Sequence, residues 1–341
     1  MNTPLNRKIV VIGVVLVALA VGAYWLFWPR RPVLGVSYVN GRSATLWSTT
    51  AQVREATATL AFGDRLEILD RDGGFAEVRT AKGQDGWVDM RSLVRSEEWE
   101  QAMALLAKAK QMPVETRGHT KVVGNLRTEP KRQADRVLQL SRDVPVDMLE
   151  RQVADVPVVK SDDAAENEDV EPRKEDWWLV RATPRDQGEI AGWVLGRFLT
   201  VDLPEPLPDY VSGAGIHPVA WFVLGQVPDS SGGVAPEYLV LGTHGTEGLD
   251  CDFTILRVYS PLTKRPGYGT AFVESNVCGH LPVNLTAATP PGDEALFQFR
   301  ATDGAGRTTD RKYVARETSV HRLNDELAPR ASKARRPAKP R

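Results

Sequence analysis

Residues 63–88 read GDRLEILDRDGGFAEVRTAKGQDGWV, and this stretch decides the fold class. Leu66 and Ile68 alternate with charged residues, which is the pattern of a strand with one buried face. The Asp-Gly-Gly sequence at 72–74 favours a tight turn, because glycine accepts backbone angles that other residues avoid. Two further short apolar runs follow, and the second contains Gly-Trp-Val at 86–88. The stretch therefore predicts three short antiparallel strands.

The same pattern returns further along the chain. Val146 and Met148 lie 80 residues after Leu66 and Ile68, and residues 192–194 are again Gly-Trp-Val. Two ordered copies of one pattern predict two copies of one small β unit.

Composition excludes several classes of protein. The chain has 341 residues and a formal net charge of −1, so no overall positive field favours a nucleic-acid partner. Five histidines and two cysteines lack the spacing of a metal site. The sequence therefore predicts no metal, no cofactor and no nucleic-acid partner.

An uncharged run of 20 residues occupies positions 9–28. A helix of that length spans roughly 30 Å, which is the thickness of a bilayer core. Aromatic residues crowd its far end, as they do at membrane interfaces: Tyr24, Trp25, Phe27 and Trp28. We expect a transmembrane anchor, with a cleaved signal peptide as the alternative because Val-Gly-Ala at 21–23 resembles a cleavage site.

Charge does not fix the orientation of this anchor, because two basic residues lie on each side of it. The N-terminal amine favours a cytoplasmic N-terminus. The body is then expected outside the cytoplasm.

Residues 96–113 interrupt the β pattern. Ser96 can cap a helix, Met103 and Leu106 fall on one helical face, and Pro113 ends the run. A linker helix is expected, with its apolar side packed on neighbouring β structure.

Two segments are rich in charge and lack aromatic residues. Residues 153–175 contain eight acids and three bases, and residues 324–341 contain six bases and two acids. Such segments bury little apolar surface, so we expect a disordered insertion and a disordered basic tail.

Residues 209–323 are expected to form a third, β-rich domain with a meander or sandwich arrangement. Residues 261–267 resemble a hairpin loop, and reflecting the chain about Lys264 brings Cys251 opposite the neighbour of Cys278. These two cysteines are therefore expected to form a disulfide, which persists in an oxidising compartment.

The repeats resemble the bacterial SH3 (SH3b) family. Residues 125–130 read NLRTEP, close to the first family motif, while residues 74–78 (GFAEV) and 86–88 (GWV) match later ones. The first repeat departs from the family at Leu-Trp-Ser, residues 46–48, which lacks the usual Arg and Pro. The resemblance implies two SH3-like barrels, at 33–95 and 114–200. It also implies binding of peptidoglycan or peptide segments.

Aromatic residues are the candidate binding groups. Trp87 and Trp193 lie between glycine and valine and are expected in the barrel cores. Trp177 and Trp178 are adjacent, so they should point to opposite faces of a strand, with one of them exposed. The candidate binding residues are Trp47, Phe75, Trp177 and Trp178.

A papain-like cell-wall endopeptidase is the enzymatic alternative. Gly-Leu-Asp-Cys at 248–251 superficially resembles the nucleophile motif, with His280 or His321 as the base. However, Cys251 should open a helix in that family, and the residues after it alternate like a strand. His217, His244 and His280 lie beside proline or glycine and are expected to be loop residues rather than ligands.

Together these features predict a mainly β, single-pass protein of the bacterial inner membrane, with its body in the periplasm or extracytoplasmic space. Its predicted activity is binding, with peptidoglycan or an envelope protein or peptide as the partner. A cytoplasmic-facing interaction scaffold is the third possibility, and it requires the opposite orientation and reduced cysteines.

Overall fold

The computed structural model describes residues 31–156, 173–185, 187–245, 247–289 and 293–323. These ranges contain three seven-stranded antiparallel sheets and two α-helices. The chain divides into two compact units, Met1–Ser96 and Glu97–Arg341. The first sheet belongs to the first unit, and the other two sheets belong to the second.

The predicted anchor at 9–28 and the predicted tail at 324–341 lie outside the described residues. Within the described ranges, no helix combines the length and the apolar character that crossing a membrane requires.

Seven short strands form the first sheet, in the order β3-β2-β6-β5-β4-β1-β7. The strands are β1 (Gly35–Val39), β2 (Ser43–Trp47), β3 (Ala56–Ala61), β4 (Arg65–Asp72), β5 (Phe75–Thr80), β6 (Asp85–Asp89) and β7 (Leu93–Arg95). Six of them contribute buried apolar side chains to one cluster, so the sheet curls around a single core.

Local sequence explains this arrangement. Leu66 and Ile68 are buried as their alternation predicts, and Gly73 and Gly74 adopt positive φ values of 53° and 89° in the β4–β5 turn. A Cβ atom at Gly86 would lie 2.7 Å from Cγ of Leu46. Glycine is therefore required before Trp87 because two strands approach closely there.

The second sheet repeats this order strand for strand, as β10-β9-β13-β12-β11-β8-β14. Its strands are β8 (Thr116–Thr120), β9 (Gly124–Arg127), β10 (Arg136–Leu140), β11 (Pro145–Asp155), β12 (Lys174–Ala182), β13 (Ile190–Leu195) and β14 (Leu199–Val201). A Cβ atom at Gly192 would lie 2.5 Å from Cγ of Leu126, so the close approach at Gly86 also recurs.

The predicted linker helix is α1 (Ser96–Ala109). Leu106 and Ala109 are buried against the second sheet, beside Leu149 and Leu179. The helix packs as its apolar face predicts.

The acidic insertion begins later than expected. Residues 153–155 continue β11 and pair with residues 174–176 of β12, and Val156 N–H donates to Arg173 O. The prediction of a disordered loop is therefore wrong for both ends of the segment 153–175. Strand pairing continues there because the third sheet contacts the same hairpin, as described below. Residues 157–172 lie outside the described ranges.

The third sheet is a meander in which every strand pairs with its neighbour in sequence. Its strands are β15 (His217–Pro228), β16 (Val234–Thr243), β17 (Phe253–Pro261), β18 (Tyr268–Thr286), β19 (Glu294–Thr302), β20 (Thr308–Arg316) and β21 (Ser319–Leu323). Tyr313 stacks on Phe297 and Phe299, with centroid distances of 4.8 and 5.5 Å, in the main core.

A short helix, α2 (Leu207–Gly213), covers part of the opposite face of this sheet. Leu207 and Val211 are buried there. Residues 201–208 contain three prolines, and the last two of these residues begin the helix. Proline is compatible with the first turn of a helix, because the N–H it lacks has no partner there.

The two cysteines lie at the open end of the β17–β18 hairpin. The Sγ atoms of Cys251 and Cys278 are 2.02 Å apart, and the two Cα atoms are 4.9 Å apart. Pro261 pairs with Tyr268 near the loop, one residue away from the register that reflection about Lys264 predicts, and bulges raise this offset to four residues at the pair Phe253–Gly279. The predicted bond between the two cysteines is nevertheless observed.

We predict that Cys251→Ser and Cys278→Ser destabilise the third sheet equally, because each removes the same crosslink. Closure of a loop with a sequence separation of 27 contributes about 3–4 kcal/mol. Calorimetry of the full-length chain measures the loss. Without reduction, alkylation of the unsubstituted protein should label neither cysteine. Two clearly unequal losses, or a labelled cysteine, would contradict the prediction.

Candidate functional site

A cavity of about 550 Å³ lies between the second and third sheets. This volume falls within the range of ligand sites in proteins. Its wall combines apolar side chains with charges of both signs: Lys121, Met148, Arg151, Asp176, Trp178, Arg197, Leu199, Glu247, Leu249 and Asp252. We call this space the intersheet cavity.

Arg151 of β11 joins the two sheets at the wall of the cavity. Its side chain is only 6% exposed and lies 2.5 Å from Asp176 Oδ1 in the second sheet and 3.0 Å from Asp252 Oδ1 in the third. It also donates to Leu249 O at 2.8 Å. The buried guanidinium is thus surrounded by acceptors from both sheets, which is the condition for burying a charge.

Residues 247–252, the contact loop, supply the third sheet's part of this arrangement. Gly248 N–H donates to Asp176 Oδ1 at 3.0 Å. Gly248 has a φ of 83°, and a Cβ atom there would lie 2.5 Å from Cβ of Lys174. Glycine is needed because the loop backbone lies directly against β12. The disulfide at Cys251 fixes the end of this loop.

A second cluster of charges surrounds Glu175, whose side chain is 1% exposed. Arg132 donates two hydrogen bonds to it, at 2.8 and 2.5 Å, and Arg197 donates one at 2.8 Å. Arg197 also donates to Glu247 of the contact loop at 3.1 Å. The hydrogen bonds from Arg132 are the main reason that the pKa of Glu175 falls to about 2.

Glu115 lies near the same wall and is buried. Burial, and to a lesser extent the charge of Asp252, raises the pKa of Glu115 to about 7. A carboxyl group that gains a proton near neutral pH thus lies close to the intersheet cavity.

Both adjacent tryptophans of β12 are buried, so the prediction that one of them is exposed is wrong. Trp177 is 2% exposed and packs with Leu106 of α1, whereas Trp178 is 5% exposed and lines the intersheet cavity. The two rings do point to opposite faces. The outer face is covered by the helix, and the cavity side is enclosed by the third sheet. Of the two, Trp178 remains a candidate ligand contact.

Trp87 does not belong to the core of the first sheet. It is half-buried and pairs in register with Glu77 and Trp47 on the outer face. The neighbouring Val88 belongs to the core, because successive side chains of a strand alternate. The predicted core position is therefore wrong for Trp87.

Trp193 is buried, with 5% exposure, but on the outer face of its sheet. It pairs with Leu179 and packs in the cluster formed by α1. Its burial agrees with the prediction, whereas its position inside a barrel core does not. The covering helix accounts for the difference.

Trp47 and Phe75 lie near each other in the first sheet and hold Arg54 between them. The guanidinium carbon of Arg54 is 4.4 Å from the Trp47 ring centroid and 4.6 Å from that of Phe75. Both aromatic residues are half-buried. Cation–π attraction orders the three side chains.

The residues nominated as the nucleophile and the base of an endopeptidase each interact with a different partner. The Sγ of Cys251 is bonded to Cys278, so in this state it offers no thiolate. His280 Nε2 bonds Thr302 Oγ1 at 2.8 Å, and His321 Nε2 bonds Ser319 Oγ at 2.8 Å.

Of the three histidines expected in loops, only His244 lies outside a strand. His217 begins β15 and His280 lies in β18, so the expectation is wrong for these two, because the neighbouring Pro218 and Gly279 are themselves strand residues. His217 is exposed and lines the intersheet cavity, and His244 bonds Gly215 O. In the described part of the chain, no three His, Cys, Asp or Glu side chains are grouped in a way that would hold a metal ion.

The sequence did not reveal the role of Arg151. Its partner Asp252 lies 101 residues away, and no spacing rule connects them. The one usable signal was Gly-Leu-Asp-Cys at 248–251, which had suggested a nucleophile and instead belongs to the contact loop.

Comparison with known protein families gives one match. Residues 54–94 match the bacterial SH3 domain family. The match covers β3 to β6 and the candidate residue Phe75 of the first sheet. It confirms the resemblance for the first repeat. No curated protein matches the chain.

Solved structures give weak similarities only. NlpC2 from Trichomonas vaginalis is 14% identical with a TM-score of 0.17, and the match covers 51% of this chain and 49% of that one. NlpC1 from the same organism is also matched over about half its length, at 46%. An NlpC/P60 family protein from Bacillus cereus is 13% identical with a TM-score of 0.20, over 84% of this chain and 98% of that one. These TM-scores are too low to indicate a shared fold or activity.

We predict that Glu175→Gln destabilises the protein by about 3 kcal/mol at pH 7, because the folded pKa is about 2 against an ordinary value of 4.5. A lowered carboxyl pKa stabilises the fold above pH 4.5, and this contribution is lost as pH falls through about 2. Denaturant unfolding at pH 7, 4 and 2.5 should show the difference between variant and parent shrinking.

Glu129→Gln is the matched control, since Glu129 is 55% exposed and pairs with Lys131, which is also 55% exposed. It should change stability little at any pH. A Glu175→Gln effect that stays constant down to pH 2.5 would contradict the charge-based explanation.

Proposed function

We propose that this chain is a membrane-anchored envelope protein that binds the peptide part of peptidoglycan in the intersheet cavity. The observation that carries this proposal is a cavity of about 550 Å³ lined by Trp178 together with charges of both signs.

The lining suits a short peptide with free carboxylates and amines. Trp178 and Met148 offer apolar contact, Lys121 is exposed and can pair with a carboxylate, and Glu247 can pair with an amine. A few polar groups in an otherwise apolar pocket fix the orientation of a ligand.

The family resemblance supports the same class of ligand. Residues 54–94 match the bacterial SH3 family, which is associated with peptidoglycan and peptide binding. The second sheet has the same strand order as the first, and we propose that it is a second SH3-like barrel. The intersheet cavity uses a surface of this second copy.

We propose that residues 9–28 anchor the chain in the inner membrane and that its body lies in the extracytoplasmic space. The apolar run supports an anchor, and the disulfide supports an oxidising compartment.

Binding rather than catalysis is the proposed activity. The nucleophile that an endopeptidase would need at Cys251 is engaged in the bond to Cys278. That bond is the observation that favours a binding protein over a cysteine peptidase.

We predict that the full-length chain co-sediments with purified peptidoglycan sacculi and that soluble muropeptides compete with this binding. Lys121→Glu should weaken binding roughly ten-fold, because it places a negative charge where a ligand carboxylate would pair. Thr243→Trp should weaken it further by filling the cavity that Thr243 lines.

Lys312→Glu is the matched control, since Lys312 is exposed on β20 and does not line the cavity. It should bind like the parent. Equal loss of peptidoglycan binding in Lys121→Glu and Lys312→Glu would indicate general charge attraction between the protein and peptidoglycan. Binding that peptide-free glycan competes away, or no binding at all, would contradict the proposed ligand.

Alkaline phosphatase fused after Arg341 should be active in intact cells, because this enzyme needs the oxidising compartment that we propose for the body. A fusion to residues 1–8 should be inactive and serves as the control. The reverse result would place the body in the cytoplasm and favour the interaction scaffold.

A further inference from the structure

Exposed apolar side chains collect at one end of the first sheet. The large ones are Val33 (48% exposed), Leu34 (58%), Val53 (93%) and Met90 (40%). Surface apolar residues are ordinary when scattered singly, but a group of them indicates a contact surface.

Hydrogen bonds bring the segments that carry these residues together. Thr50 Oγ1 donates to Asp72 Oδ2 at 3.2 Å, which joins the β2–β3 loop to the β4–β5 turn. Met90 N–H donates to Gly74 O at 2.9 Å, which joins the segment after β6 to the same turn. We call this region the turn end of the sheet.

The chain enters the first sheet from the turn end. Leu34 N–H donates to Ile68 O at 2.8 Å, and Arg31 pairs with Glu77 at 2.6 Å. Residues 31–34 therefore run beside β4 and lead away from the β4–β5 turn. Only Pro29 and Arg30 separate Arg31 from Trp28, the last residue of the apolar run, so the distance from Trp28 to Arg31 is at most about 10 Å.

The aromatic residues of the turn end suit a membrane interface. Trp47 ends β2, Phe75 begins β5, and Arg54 lies between their rings. Tryptophan and arginine both place an apolar body beside a polar group, as side chains at the headgroup level do.

The charges of the turn end indicate which kind of contact with a membrane interface would dominate. The segments 31–34, 48–55, 70–75 and 89–91 contain four arginines and four acidic residues in total. Their charges balance, so attraction to anionic lipids would contribute little. Insertion of apolar and aromatic side chains into the interface would provide the affinity.

We propose that the turn end of the first sheet rests on the lipid surface of the membrane that holds residues 9–28. The occupant of this surface is the bilayer interface, which the short connection keeps at high effective concentration. Val53, at the tip of its loop, and Met90 insert among the headgroups. The inference rests on the anchor in the proposed function and does not depend on the peptidoglycan ligand.

The test uses the full-length chain in phosphatidylcholine liposomes, with Val53→Cys carrying an environment-sensitive fluorophore. The native cysteines are paired and do not react. Lys82→Cys is the matched control, because Lys82 is exposed in the β5–β6 turn at the opposite end of the same sheet. Quenching by nitroxide lipids should be several-fold stronger at position 53 than at position 82, and quenching by aqueous iodide should show the reverse order.

Leu34→Asp with Met90→Asp, added to Val53→Cys, should reduce the lipid quenching to the level of the position 82 control. Both side chains are exposed, so the thermal midpoint should stay close to that of the parent. A chain that floats with the liposomes but is quenched equally at both positions overturns this inference and leaves the anchor intact. A chain that does not float overturns the anchor and the inference together.

Discussion

The buried guanidinium of Arg151 is the interaction on which the second and third sheets depend. Removing this charge from water costs several kcal/mol, and only acceptors of good geometry offset that cost. Asp176 supplies one from the same sheet, while Asp252 and the carbonyl of Leu249 supply the others from the third sheet. Because neither sheet could satisfy Arg151 alone, the two sheets are joined there, and the intersheet cavity lies beside the joint.

Several different contacts hold the contact loop in place. The disulfide of Cys251 ties it to β18, and Gly248 lets its backbone lie against β12. The ion pairs of Glu175 and Arg197 extend the joint along the same edge. A covalent link, a close backbone approach and a charge network thus act on one short segment, which keeps the charged part of the cavity wall fixed.

The first two sheets share one strand order but use their outer faces differently. In the second sheet, α1 covers Trp177 and Trp193, so those rings stabilise the fold. In the first sheet, Trp47 and Phe75 are half-buried and enclose Arg54. The outer aromatic residues of the second sheet are therefore packed beneath a helix. Those of the first sheet lie near a surface that we assign to the membrane.

The sequence by itself determined the strand pattern, because alternation and Gly-Trp-Val depend only on local geometry. It also determined the pairing of Cys251 with Cys278, since a hairpin reflects the chain about its loop. Tertiary contacts determine which aromatic residues are buried and which acceptors surround Arg151. Alternation places Trp177 and Trp178 on opposite faces, but burial depends on α1 and on a sheet that begins some forty residues later. Contacts between segments that are distant in sequence leave no periodic signal, so the cavity is visible only in the folded chain.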